Sequence, residues 1–318
     1  MRKRKKIFLV LRVVASAVML AFLLSRIHLS SLLPANQGSA VIWLVVGLFV
    51  WVGATVLAAL RWQRVLSALE LPSQLPPLLS HSFAGLFVAN FLPSTIGGDV
   101  LRVSRLSATN GQAPASFASV VLERLTGFLV LPLITLVALL THPDLLQLGN
   151  ASRMAVMFSI GTLVVLSVIL VLAANPRLGK RLADNQSWLR FAGAVHLGID
   201  RIRRHPGAVV GVLLTAAAYQ LTLVLAAWMA TQALGIDVGW AAVMAFLPVV
   251  AMAQVLPVSV NGLGLREGAL VLLLQPLGVP TGKAVALGLL LYGMSLAVSL
   301  LGAPAFAVGA RAPARAAA

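Results

Sequence analysis

Apolar residues gather in long runs at about 7–24, 40–60, 115–140, 154–174, 207–231 and 284–308 of this 318-residue chain. Each run is long enough to cross ~30 Å of hydrocarbon as a helix rising ~1.5 Å per residue. Two further apolar stretches, 76–92 and 240–256, lead into one short pattern and are interrupted by it. That pattern reads LPSTIGGDVLR at 92–102 and LPVSVNGLGLR at 256–266. Shifted by 164 positions, Leu92, Pro93, Gly98, Leu101 and Arg102 fall on Leu256, Pro257, Gly262, Leu265 and Arg266. In a membrane protein, broken segments at corresponding places in two halves are the best sequence pointer to a substrate site.

Composition agrees with a membrane protein: 60% of residues are hydrophobic, 10% are charged and the mean hydropathy is +0.98. The first run follows Arg2, Lys3, Arg4, Lys5 and Lys6 and could be read as a signal peptide. It has no A-x-A-like cleavage site and is long for a signal core, so it is expected to be a retained span with Arg12 snorkelling toward the basic end. The chain has no cysteine, which excludes disulfides and thiolate chemistry. A net charge of +16 would suggest nucleic acid in a soluble chain. Here the basic residues fall in short loops, where they set orientation and meet anionic headgroups, so no nucleic-acid partner is expected.

Charge placement selects a topology. If both broken segments dip in and leave by the same face, both termini and the loops 61–76, 102–114 and 175–206 share one side, which then carries 18 Lys/Arg. The opposite side carries only Arg26, Arg153 and Lys283. Full spanning by both segments would instead place the basic loop 175–206 outside, against the positive-inside rule. The expected fold is therefore an all-α integral membrane protein of about six full transmembrane helices plus two re-entrant broken-helix elements, about 76–106 and 240–275. A basic tail (1–6) and a C-terminal tail (309–318) flank the membrane domain 7–308, with both ends cytoplasmic in a bacterial inner membrane. Three full spans separate the two re-entrant elements, so the halves form an inverted pseudo-repeat.

The chemistry of the repeat follows from its backbone. Pro93 and Pro257 lack an N–H and end or kink an approaching helix. Gly97, Gly98, Asn261, Gly262 and Gly264 permit positive φ and close approach of a ligand. A new helix is expected near Asp99 and near Gly264, with Arg102 or Arg266 about one turn further on. A helix N-terminus and an arginine fork both favour a phosphate. The alternative for each arginine is to snorkel or to pair with a carboxylate, and the occurrence of two matching copies favours binding. Asp99, Glu123 and Glu267 are ionisable groups placed where ionisation is costly, so they need a cavity or a partner. Glu123 and Arg124 point ~100° apart on a helix, so cross-pairing is expected: Glu123 with Arg102 or Arg105, and Arg124 with Asp99. Such pairs could hold the elements down or form a proton-linked or substrate-gated switch, and sequence does not choose.

Other signals carry less. GVPTGKA at 278–284 has the wrong spacing for a phosphate loop and Ala284 where Ser or Thr is needed. His28, His81, His142, His196 and His205 show no metal spacing, so no cofactor or metal is expected. His81 reads as interfacial. Trp43, Trp62 and Trp240 read as interface anchors, and Trp188–Ile202 as an amphipathic helix on anionic lipid.

NFLPSTIGGDVLRVSRL (90–106), ERLTGF (123–128) and PVSVNGLGLREGAL (257–270), preceded by RWQRVL (61–66), resemble the flippase-like membrane domain of lysylphosphatidylglycerol synthases. That family also has stand-alone members, and the resemblance covers about residues 5–308. It implies a domain that moves a lipid between leaflets, with Gly97, Gly98, Asp99, Arg102, Glu123, Arg124, Gly262, Arg266 and Glu267 at signature positions. No aminoacyl-transferase domain follows before Ala318, so synthase activity is not expected. The resulting expectation is a non-enzymatic flippase or scramblase for an anionic phospholipid or a polyprenyl-phosphate-type lipid, its headgroup received by Arg102 and Arg266. The expected partners are anionic membrane lipids, and the candidate protein partner is a separate lipid-modifying enzyme or glycosyltransferase. A secondary transporter of a small anion and a non-transporting scaffold for a lipid-modifying enzyme are the rival expectations.

Overall fold

A computed structural model of the chain describes residues 37–71, 73–91, 97–174, 206–255, 259 and 262–309. Among the described residues there are ten α-helices and no strand. They are α1 (Gln37–Ala68), α2 (Leu75–Phe91), α3 (Gly97–Asn110), α4 (Ala113–Thr141), α5 (Asn150–Ala174), α6 (Pro206–Ala233), α7 (Trp240–Ala253), α8 (Leu265–Leu274), α9 (Thr281–Leu300) and α10 (Ala303–Gly309). Short 3₁₀ turns at Pro143–Gln147 and Gln275–Leu277 precede α5 and follow α8.

Five of these helices, α1, α4, α5, α6 and α9, are long and apolar enough to cross a membrane. They match five of the six expected spans; the run at 7–24 lies outside the described residues, as do both tails and residues 175–205 of the basic loop. Two boundaries differ from expectation. α1 does not stop near residue 60 but continues to Ala68, because Trp62, Val65, Leu66 and Leu69 recur at helical spacing and are all buried. Its end has a Schellman pattern: the Leu71 N–H bonds the Leu66 carbonyl, the Glu70 N–H bonds that of Ser67, and Glu70 adopts φ 56°. The last apolar run is two helices, since α9 ends at Leu300 and α10 starts after Gly302. At Gly302 a Cβ would collide with the backbone carbonyl of Phe83.

The repeated pattern folds each time as helix, break, helix. α2 and α3 carry the first copy and pack against each other; α7 and α8 carry the second and do the same. With 17 and 14 residues, then 14 and 10, these helices are ~15–26 Å long, short of the ~30 Å that a span needs. The α2–α3 contact is set by glycine. A Cβ on Gly98 would run into the carbonyl oxygen of Gly85 and lie 3.1 Å from the Ala89 Cβ, so only a hydrogen lets the two backbones approach this closely.

The chain divides into two compact units. One, called here the Glu123 unit, comprises Thr55–Thr126, Ser167–Tyr219 and Ser295–Ala318. Its apolar core is built from Trp62, Leu66, Leu69, Leu78, Leu106 and Ala118, among others. The Glu267 unit comprises Met1–Ala54, Gly127–Leu166 and Gln220–Met294. Its core centres on α7, where Ala242, Val243, Ala245 to Val250, Met252 and Ala253 are all buried, with Leu270, Leu273, Leu274 and Leu287 against them. Such enclosure fits an apolar helix too short to span.

Candidate functional site

Charge concentrates in the Glu123 unit, buried at Arg61 and Glu123, half-buried at Asp99 and Arg102 and exposed at Arg124. Arg61 comes from α1, Asp99 and Arg102 from the first turns of α3, and Glu123 and Arg124 from α4. Glu123 is 1% exposed, and each of its carboxylate oxygens accepts from a different arginine. Oε1 accepts a hydrogen bond from Arg61 Nη2 at 2.7 Å, and Oε2 accepts one from Arg102 Nη2. Asp99 lies one helical turn before Arg102, with Oδ1 3.7 Å from its Nη1, and accepts from Arg124 Nε through Oδ2. An acid at the start of α3 also complements the positive end of its helix dipole.

Aromatic faces complete the assembly. The Arg102 guanidinium lies 4.1 Å from the centroid of the Trp62 ring, and that of Arg61 lies 4.5 Å from the Tyr219 ring. In a desolvated setting such cation–π contacts are worth ~2 kcal/mol. Trp62 is itself held by Nε1–H donation to Ser119 Oγ at 3.0 Å. The aliphatic stem of Arg102 crosses α2 at Gly85, where a Cβ would sit 3.0 Å from its Cγ and Cδ. Three guanidiniums meet two carboxylates here, leaving one positive charge. Arg61 Nε, Arg61 Nη1 and Arg102 Nε are buried N–H groups with no acceptor among the described residues.

The Glu267 unit treats its copy differently. Gly264 adopts φ 80° ahead of α8, and its N–H donates to Glu267 Oε2 at 2.6 Å, so the helix start is tied by its own third residue. Glu267 is fully buried and packs over Gly288, where a Cβ would sit 2.8 Å from its Cγ. Arg266 is 7% exposed, with Nε 3.5 Å from Glu267 Oε1 and its guanidinium 5.3 Å from the Tyr292 ring centroid. Gly262, at φ 74°, faces the Gln254 side chain, which would have to move for any Cβ.

The structure brings Asp99, Arg102, Glu123 and Arg124 together in one unit and Arg266 and Glu267 in the other. The helix starts at Gly97 and after Gly264 lie near the expected positions, and the structure pairs Glu123 with Arg102 and Arg124 with Asp99. Pro93, Pro257 and Asn261 lie outside the described residues. Of the two arginines offered for Glu123, Arg102 takes it, and Arg105 donates to the Ala305 and Phe306 carbonyls, each at 3.1 Å. Those carbonyls belong to α10. Trp62 is not an interface anchor, being fully buried under Arg102. Arg61 is not a loop residue, being 6% exposed within α1. The Trp62, Val65, Leu66, Leu69 stripe was the signal available for both.

These features define a multi-pass α-helical membrane protein with a charged interior. The chain belongs to the family described as the lysylphosphatidylglycerol synthase TM region, whose sequence profile matches residues 9–302. That family is a membrane domain associated with lipid handling or flipping. No curated protein matches the chain.

Proposed function

We propose that this protein moves a phosphate-bearing lipid, an anionic phospholipid or a polyprenyl-phosphate-type lipid, between the leaflets of a bacterial inner membrane. The supporting observation is the Arg61–Glu123–Arg102 cluster, buried inside a membrane protein with positive charge in excess. Ionisable groups at membrane depth are costly and mark substrate pathways far more often than chance. An excess of guanidinium favours a phosphate, which accepts the same fork geometry as a carboxylate. In this reading α2–α3 and α7–α8 are re-entrant elements of an inverted repeat, both termini are cytoplasmic, and passage of the headgroup depends on Arg102 and on Arg266. The lipid tails stay in the bilayer, which suits α5, uncharged from residue 154 to its end, better than a path for a soluble anion would.

Reconstitution tests this. Protein in liposomes carrying fluorescently labelled phosphatidylglycerol is probed with an outside-only quencher. Wild type should expose more label than the outer leaflet holds, and folded Arg102→Ala and Arg266→Ala variants should expose markedly less. Equal exposure by the variants, or none by wild type with any phospholipid or polyprenyl-phosphate probe, would end the proposal.

A further inference from the structure

We infer that Arg61, rather than Arg102, is the residue that receives the phosphate oxyanion. Arg102 is already committed: it bonds Glu123, lies beside Asp99, stacks on Trp62 and has its stem fitted against Gly85. Moving it would disturb four neighbours together. Among the described residues Arg61 makes one charged hydrogen bond, from Nη2, while its Nε and Nη1 are enclosed and reach no acceptor. Its side chain is 8% exposed, so bulk water is not the partner of those two donors. A buried charged donor without an acceptor is strongly disfavoured and calls for a partner. Tyr219 covers the guanidinium face, which leaves the in-plane N–H groups as the direction of approach.

Charge identifies the ligand class. Arg61, Arg102 and Arg124 against Asp99 and Glu123 leave one positive charge, which a single oxyanion neutralises. Glu123 then acts as a positioning residue, holding Arg61 and Arg102 by separate oxygens so that the Arg61 fork stays fixed. The site itself stands on this geometry, and its assignment to a lipid headgroup rests on the proposed lipid movement.

The test uses the full-length protein in detergent, with binding read by microscale titration and folding by thermal unfolding. The probes are dihexanoyl-phosphatidylglycerol, glycerol 3-phosphate and phosphate-free dihexanoylglycerol. Arg61→Lys keeps the charge and one bond to Glu123 but lacks the planar fork, so phosphatidylglycerol should bind about tenfold more weakly. Arg64→Gln, an exposed arginine on the same helix, should bind as wild type does. Preference for phosphatidylglycerol over glycerol 3-phosphate supports a headgroup site; equal binding of both supports the phosphate site and assigns it to a soluble anion. The inference is overturned if folded Arg61→Lys binds like wild type, if Arg64→Gln weakens binding as much, or if dihexanoylglycerol binds equally well. Liposome assays separate it from the lipid proposal. Binding that depends on Arg61 without lipid movement would sink only that proposal, and movement indifferent to Arg61 would sink only this inference.

Discussion

Glu123→Ala should be among the most damaging single substitutions in the Glu123 unit. The change removes the acceptor of two guanidiniums whose side chains are 8% and 12% exposed, and it raises the local charge from one positive to two. Removing one member of a buried ion pair typically costs about 3–5 kcal/mol, because the surviving charge stays desolvated. Asp99, 3.7 Å from Arg102, offsets part of the loss on that side, which places the expected destabilisation near ~3 kcal/mol. No such neighbour exists for Arg61 among the described ion pairs, so its charge carries most of the effect. If so, exchanging Arg61 for methionine and Glu123 for alanine together, which returns the local charge to one positive, should recover ~1.5 kcal/mol or more relative to additivity. Equilibrium unfolding in mixed micelles, followed by far-ultraviolet circular dichroism, measures all four corners of the cycle. A Glu123→Ala penalty below ~1 kcal/mol, or additive single substitutions, would refute the claim that charge burial governs this cluster.

Other substitutions test the packing. Gly98→Ala should cost ~1–3 kcal/mol by forcing α3 off Gly85, whereas Gly53→Ala, with nothing within 4 Å, should be neutral or stabilising by up to ~1 kcal/mol; thermal unfolding compares them. Gly264→Ala places a side chain at φ 80° and should cost ~1–2 kcal/mol, seen as a lower midpoint in the same assay. Arg105→Met leaves the Ala305 and Phe306 carbonyls without their donor, so amides of α10 should exchange with deuterium several-fold faster while those of α4 stay protected.

The long helices were legible because an apolar run of more than 20 residues has few other homes. The breaks were legible because glycine and proline have mechanical meaning wherever they stand. Even the pairing of Arg124 with Asp99 could be read, since an ion at membrane depth needs an opposite charge and few were on offer. Arg61 and Trp62 were obscure for a physical reason. An Arg-Trp pair at the end of an apolar run fits an interfacial belt equally well, and what buries it is Ser119 and Glu123, 57 and 62 positions away. Gly85 was silent for the same cause: its importance is the arginine stem and the second backbone lying on it. Charge alone left Arg102 and Arg105 as equal candidates for Glu123, and the structure uses Arg105 on carbonyls, which no tally of charges reveals.

The adjacency of Glu123 and Arg124 on α4 has a consequence for assembly. Neighbouring helical residues differ by ~100° in direction, so a slip of α4 by one position would present a guanidinium to Arg61 and Arg102 in place of the carboxylate. Apolar packing alone discriminates weakly between such registers, because a slip exchanges one leucine or valine for another. Here the slipped arrangement would gather three cations away from water, and the repulsion grows with every wrong step. Two neighbouring letters of opposite charge thus fix the register of α4 more sharply than its apolar packing does.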